Sequence, residues 1–374
     1  MELNKRLTFL DLFSGIGGFR IGLENAGFKS IGYCDNDKYA NNLYKAYFNT
    51  EEELFFDDIR TINTKELSDF DILCAGFPCQ SFSIAGKRRG FEDTRGSMFF
   101  EVARILKDKR PRYFILENVK GLLNHDRGKT FQTILKILTD LGYQVQWQLL
   151  NSKFFGVPQN RERVYIVGCY GKGCPGKIFP IKGCGSENIS TLNKHPMSNG
   201  TSQGDRIYLQ DGLSSCLTAN GGGLGAKTGL YFVNKPRFDK YTTSNAVQTL
   251  KVGGDIPLML VRNGTKKGYD EAIPGDGINL AFSQSKTRRG RVGKGCSQTL
   301  DTKCNIGTID GYRIRRLTPL ECFRLQGFPD EMVEIARKIG ISDCRLYKMA
   351  GNAVTVNVVE AVAKKIAEVE NDRT

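Results

Sequence analysis

Five short apolar runs separated by stretches of helical texture constrain the first 170 residues more than any other feature. Leu7 to Phe13, Ser30 to Cys34, Asp71 to Phe77, Tyr113 to Glu117 and Val164 to Cys169 read as buried strands. Met98 to Lys109 and Thr130 to Leu141 read as helices between them. This rhythm predicts an α/β, doubly wound, mostly parallel sheet whose ligands sit at the carboxyl ends of the strands. The 374 residues exceed what one core usually takes, so a larger and a smaller domain are expected. From Gly171 the texture turns to Gly, Ser, Thr, Asn and Lys with short strand-like pieces, placing a boundary near Lys177. Within it a Thr-Leu or Leu-Thr pair recurs irregularly, at 217–218, 249–250 and 299–300. Helical texture returns at Pro319 to Leu325 and at Val354 to Glu370, where Val358, Val359, Val362, Ile366 and Val369 keep a helical spacing. Residues 1–177, completed by 347–374, are therefore expected to form the larger domain, and 178–346 a smaller one, mainly β and loop.

Charge distinguishes the two parts. Residues 178–340 carry 23 basic and 14 acidic side chains, +9 of the net +14. A positive excess gathered in one region is the footprint of a polyanion-binding surface, with a crowded solvated face as the alternative. No apolar run approaches the ~18 residues of a membrane span, and the acid Asp11 interrupts the N-terminus before a secretory core forms. The expectation is a cytoplasmic chain with no membrane partner. In that compartment the eleven cysteines should be reduced thiols. They show no CxxC spacing and there are only two histidines, so no metal site is expected.

Chemistry gathers at the strand ends. Phe13-Ser-Gly15-Ile16-Gly17-Gly18 follows the first strand, and Asp35 ends the second. Glycines let backbone approach a nucleotide-like ligand, and an acid about 20 residues on binds ribose hydroxyls. Asp57-Asp58-Ile59 adds an adenine contact. The pattern suits an adenosine-containing ligand without separating NAD from S-adenosylmethionine, and a plain tight turn has a similar signature. Gly76-Phe-Pro78-Cys79-Gln80 follows the third strand named above; a thiol there either faces the ligand crevice or is an inert buried group. Glu117-Asn-Val119 ends the next strand, and Arg161-Glu-Arg163 precedes the fifth, delivering guanidinium groups to the same crevice unless it is a solvated charge run.

Together these blocks resemble the cytosine-5 DNA methyltransferase family. Asp11 to Phe19, Gly76 to Gln80, Glu117 to Val119, Gln159 to Arg163, Leu317 to Pro329 and Gly351 to Ala353 carry the resemblance, in the family's order. The resemblance implies a Rossmann-like S-adenosylmethionine-dependent domain with a smaller target-recognition domain, of bacterial or phage restriction-modification type. It implies double-stranded DNA as partner, a monomer, and pairing in the genome with a restriction endonuclease. By it, Cys79 adds to C6 of a flipped cytosine, Glu117 protonates N3, and Arg163 with Arg161 holds O2. Phe13, Gly15, Ile16, Gly17, Gly18, Asp35, Asn36, Asp58, Ile59, Pro78, Met98, Asn352 and Val354 line the cofactor site. Asn36 stands where relatives often carry a large aromatic. Gln80, Ser83, Lys87, Arg88 and Arg89 belong to a loop over the DNA.

In the middle region, Ser202 to Tyr208 and Asn220 to Gly229 resemble the recognition loops of the bacterial enzyme that methylates GCGC. That match gives Gln203, Arg206, Asn220, Gly222 and Gly223 to DNA, although Asn220 replaces a tyrosine. Residues 264–305 have no counterpart there. Their Arg288, Arg289 and Arg291 resemble recognition segments of phage and bacterial relatives. Two alternatives remain open at this level: an RNA (tRNA) cytosine-5 methyltransferase, and a Rossmann NAD-dependent oxidoreductase. The latter leaves the Pro-Cys, Glu-Asn-Val and Arg-Glu-Arg blocks unexplained.

Overall fold

Apolar alternation becomes strand pairing in the computed structural model, which describes residues 6–78, 98–171, 177–183, 247–252, 256–282, 285, 287–310 and 313–372. Strands β1 (Thr8–Leu12), β2 (Lys29–Cys34), β3 (Leu54–Phe56), β4 (Ile72–Ala75), β5 (Tyr113–Val119), β6 (Tyr143–Asn151) and β8 (Glu162–Tyr170) form one sheet. The label β7 goes to the two-residue strand Gln159–Asn160 described below. The order is β3-β2-β1-β4-β5-β8-β6. The first five strands are parallel, and β8 runs antiparallel to both β5 and β6. The chain winds outward from β1 to β3, then returns to β4 on the other side of β1. That reversal opens a crevice at the carboxyl ends of β1 and β4, where ligands bind in such sheets.

Two helical layers cover the sheet. Leu10, Leu12, Leu73, Ala75, Phe114, Leu116, Val164 and Ile166 point to one face and pack with α3 (Met98–Lys109) and α4 (Lys129–Asp140). Alternate residues point to the other face, covered by α1 (Gly18–Asn25) and α8 (Val356–Asn371). There Tyr113 donates its hydroxyl proton to Glu370. A Cβ on Gly22 would stand 2.7 Å from Val359, so the α1–α8 approach demands glycine. Helix α2 (Lys38–Tyr47) starts at Asp37, whose carboxylate accepts from the Tyr39 and Ala40 amides.

The chain divides into two compact units. The first comprises 1–152, 162–181 and 326–374. It takes in α6 (Asp330–Lys338) and α7 (Asp343–Asn352), so 326–346 lie with the sheet rather than with the smaller part. Buried polar bonds hold them there. Gln326 Nε2 donates to Ala350 O at 2.7 Å, and Thr355 Oγ1 donates to Gln326 Oε1 at 2.8 Å while lying 2.8 Å from Ser152 Oγ.

The second unit comprises 153–161 and 182–325. In it, β9 (Val247–Val252), β10 (Ile256–Arg262) and β11 (Tyr269–Ala272) form an antiparallel sheet. A second sheet orders β12 (Gly277–Asn279), β13 (Val292–Gly293), β15 (Ile306–Asp310) and β16 (Arg313–Arg316) as β13-β12-β15-β16. Strand β14 (Ser297–Gln298) pairs with β7. Met259, Val261, Ala272, Ile278 and Ile309 make its small core. Helix α5 (Pro319–Arg324) opens with a capping box: Glu321 N donates to Thr318 Oγ1, and Thr318 N to Glu321 Oε2.

Strand β6, α6 and α7 are not legible in the sequence periodicity. Strand β6 is an edge, and its Gln144, Gln146 and Gln148 make it read as polar. The amides have work there: Gln146 Oε1 accepts from Ile178 N and Phe179 N, and Gln148 brackets Ile181 through both of its atoms. Cys169 is disulfide-bonded, against the expectation of thiols throughout, whereas Cys34, Cys74, Cys296, Cys304, Cys322 and Cys344 are free. Sulfur proximity is a tertiary property that cysteine spacing does not reveal. Among the described residues no helix is long and apolar enough to cross a membrane.

Candidate active site

The crevice is built from strand ends of the first unit. After β1 the chain turns through Phe13 at φ +57° and Gly15 at φ +54°, both left-handed. Gly15 N donates to Asp35 Oδ2 at 2.8 Å, and Asp37 N to Asp35 Oδ1 at 2.7 Å. The predicted ribose acid thus also clamps the glycine turn, and a carboxylate with two amides bound still has acceptor capacity. Burial pushes the Asp35 carboxyl above its ordinary range, against the lowering effect of those amides. At Gly18 a Cβ would lie 2.7 Å from Val354 Cγ2 and 2.9 Å from Val354 O. Only glycine lets α1 begin against the 353–354 turn, which brings two predicted blocks more than 330 residues apart into contact.

These residues fit an adenosine-bearing cofactor on two observations. Ser14 Oγ is buried with no hydrogen-bond partner among the described residues, and the side of Gly15 where a Cβ would stand is open space. Ile16, Gly17 and Gly18 are buried, Met98 half-buried at the start of α3, and Pro78, Asn36 and Asn352 exposed. Two residues differ from expectation. Asp58 accepts from Arg60 N and Nε at 2.9 Å, and those bonds hold its carboxyl below the ordinary range. The Ile59 side chain belongs to the hydrophobic core and its carbonyl accepts from Arg104 Nη2 at 3.0 Å, so neither is offered to a ligand.

Behind the turn, Asp11 is fully buried. Burial raises its carboxyl well above the ordinary range; the Cys74 thiol, 3.7 Å from Asp11 Oδ1, opposes that rise. At the other end of the crevice, Glu117 closes β5 at 8% exposure, and Arg163 lies near the start of the antiparallel neighbour β8. Arg163 Nε stands 3.0 Å from Glu117 Oε1. Arg163 Nη1 donates to Glu162 O, and Nη2 is unengaged among the described residues. Glu117 Oε2 stands 3.8 Å from the position of a Gly76 Cβ, so the carboxylate faces the Gly-Phe-Pro-Cys turn.

Asn118 was not singled out from the sequence. Its buried Nδ2 donates to Phe77 O at 2.9 Å, tying β5 to the turn that runs into Cys79. Its place between Glu117 and Val119 was the one signal available. Cys79, Gln80, Ser83, Lys87, Arg88, Arg89, Gln203, Arg206, Asn220, Gly222 and Gly223 lie outside the described residues.

Of two predicted arginines, one is placed in the second unit and the other is corrected. Arg161 falls in the second unit, between β7 and β8, with 2% exposure, and its Nη1 donates to Leu300 O at 3.4 Å. That bond ties one of its guanidinium nitrogens to the second unit. Arg291 is likewise 2% exposed, donating to Asn279 O at 3.3 Å and to Phe282 O. A buried guanidinium spent on backbone carbonyls makes no phosphate contact. Arg289 is exposed and Arg288 half-buried.

The profile of the family described as C-5 cytosine-specific DNA methylase matches residues 7–368. The chain is 39% identical to the type II methyltransferase M.HpaII of Haemophilus parainfluenzae, over 98% of this chain and 91% of that one. It is 32% identical to the orphan methyltransferase M.Rho11sI of Bacillus phage rho11s, over 96% and 98%. A solved putative DNA modification methyltransferase from an E. coli prophage superposes with a TM-score of 0.59 at 20% identity, over 98% of this chain and 99% of that one. At that identity the superposition shows the fold.

Proposed function

The chain belongs to the C-5 cytosine-specific DNA methylase family and is a DNA (cytosine-5)-methyltransferase, and on that premise we propose that Cys79, Glu117 and Arg163 carry its chemistry. The RNA and oxidoreductase alternatives are not favoured, since the relatives are named as type II and orphan methyltransferases. The observation that carries the assignment is the Glu117–Arg163 pair at the strand ends, with buried Glu117 facing the Gly76 segment that leads into Cys79.

Cytosine C5 is a weak nucleophile. Addition of the Cys79 thiolate to C6 turns the ring into an enamine, provided a proton reaches N3 as the bond forms. Glu117 supplies that proton, Arg163 holds the carboxyl in place, and the remaining Arg163 donors hold the cytosine O2. Attack above the ring requires the base to leave the duplex stack, which costs a few kcal/mol. S-adenosylmethionine would be held by Phe13, the Gly15–Gly18 turn, Asp35 and Val354, and when bound would supply an electrophilic methyl group for C5, its sulfonium leaving as the neutral thioether. Removal of the C5 proton then expels Cys79 and restores the aromatic ring.

Recognition is assigned to the second unit, through Ser202 to Tyr208 and Asn220 to Gly229, whose sequences resemble recognition segments of the GCGC enzyme, and through 264–305. The protein acts as a cytoplasmic monomer encoded beside a restriction endonuclease, or without one, as the orphan relatives are. A duplex carrying 5-fluorocytosine at the target blocks the final elimination. Incubated with labelled S-adenosylmethionine, it should leave a denaturation-resistant adduct whose peptide contains Cys79. A Cys79→Ser protein that methylates DNA at the original rate would reject the scheme.

A further inference from the structure

Among the described large hydrophobic side chains, Phe282 is the most exposed, at 76%. It sits in the loop between β12 and β13, and its backbone is left-handed, with φ +52°. A phenylalanine rarely adopts that conformation, so the surroundings must impose it. They do so through one carbonyl. Phe282 O accepts from the buried Arg291 guanidinium and from Ser285 N at 2.9 Å. Farther along, Gly264 N donates to Arg288 O at 2.6 Å, and a Cβ on Gly264 would meet Thr287 backbone at 2.4 Å. Phe282 and Arg288 are therefore tied by their backbones to Arg291 and to the residue after the β10 end, while the Phe282 ring is exposed.

Charge identifies what the ring faces. Residues 281–294 contain five cations and no acid. The Arg288 guanidinium lies 5.5 Å from the Phe282 ring centre, and Arg289 is exposed. Neither arginine is ion-paired among the described residues. An exposed apolar ring beside one unpaired guanidinium, with a second exposed guanidinium next to it in sequence, suits neither an apolar protein groove nor water. It suits a polyanion with flat apolar interiors between its charges, which is stacked nucleic acid.

We propose that Phe282 is an aromatic wedge that enters between base pairs of the duplex, with Arg288 and Arg289 on the flanking phosphates and Arg291 as the positioning residue that holds the wedge out. The proposal rests on the assignment of 264–305 to DNA recognition. It adds that this segment deforms the duplex as well as reading it. Presenting the ring in a fixed geometry lowers the ordering cost on binding.

The test uses the full chain and a duplex fragment that the wild-type enzyme methylates. Phe282→Ala should weaken binding about tenfold, the scale of one lost aromatic stack, with the dependence of log affinity on log salt unchanged. The joint substitution Arg288→Ala and Arg289→Ala should make that salt dependence shallower. Phe282→Trp should lose fluorescence on adding the duplex and keep it on adding heparin, a polyanion without bases. Thermal unfolding of Phe282→Ala should match the wild type, since an exposed ring supports no core. If the arginine variant changes the salt slope while both Phe282 variants behave as wild type, the wedge is rejected and the DNA-recognition assignment stands. If neither changes, both are rejected.

Discussion

At the scale of single residues, Glu117 has two neighbours that matter: Arg163, which fixes one carboxylate oxygen, and the Gly76 turn, which the other oxygen faces. Glu117→Gln keeps the shape and offers a hydrogen-bond donor but cannot pass a proton. We expect kcat to fall roughly 10²- to 10⁴-fold, the usual worth of positioned proton transfer, while S-adenosylmethionine affinity changes little. Stopped-flow methyl transfer and equilibrium cofactor binding measure the two separately, and an equal loss in both would make the acid structural. Asn118 binds the Phe77 carbonyl and so ties β5 to the segment that leads into Cys79.

At the scale of elements, α5 shows how a short helix is made stable at its entrance. Thr318 and Glu321 satisfy each other's backbone amides, and Arg315 binds Glu321 through two nitrogens at 2.7 and 2.8 Å. The Arg315 bonds hold the Glu321 carboxyl down at about 2. A free glutamate titrates near 4.3, so its folded form is the more acidic one and its contribution is complete above that value. That contribution is lost as pH falls toward about 2. The stability advantage of wild type over Glu321→Gln should therefore be constant near neutrality and shrink between about pH 4.3 and 2. Urea midpoints at each pH give this difference directly; an advantage that grew on acidification would contradict the pairing. The glycines Gly18 and Gly22 have the complementary task, letting α1 lie against Val354 and Val359.

At the scale of the whole molecule, the chemistry proposed for Glu117 and Arg163 is assigned to the sheet unit and target choice to the second one. Exchanging 264–305 for the corresponding segment of a relative should change which motifs are methylated and leave trapping through Cys79 intact. A bidentate side-chain contact discriminates bases by about 1–3 kcal/mol, enough to relax or erase a position. Bisulfite sequencing of methylated random DNA reads the outcome, and an unchanged motif would remove 264–305 from recognition.

Much of this protein is readable from its sequence because strands and helices announce themselves locally. Met98–Lys109 is bounded as its periodicity predicts, and the Phe13, Cys79 and Glu117 blocks each follow an apolar run that paired into the central sheet. Local periodicity also explains the failures: the Gln-rich edge strand β6 hides its alternation, and Gln326 holds 326–346 to the sheet unit through bonds to Ala350 and Thr355. Arginines show the limit most clearly. Arg161 and Arg163 are two residues apart and equally basic, yet one is bonded to Leu300 in the second unit and the other to Glu117 in the first. Arg288, Arg289 and Arg291 form one charge run, yet Arg291 alone is buried on backbone carbonyls. Composition determines that a guanidinium is present and always charged. Whether it meets a carboxylate, a carbonyl or solvent depends on which chain segments fold beside it, 9 residues away for Phe282 and Arg291 and 139 for Leu300 and Arg161, and only packing brings those together.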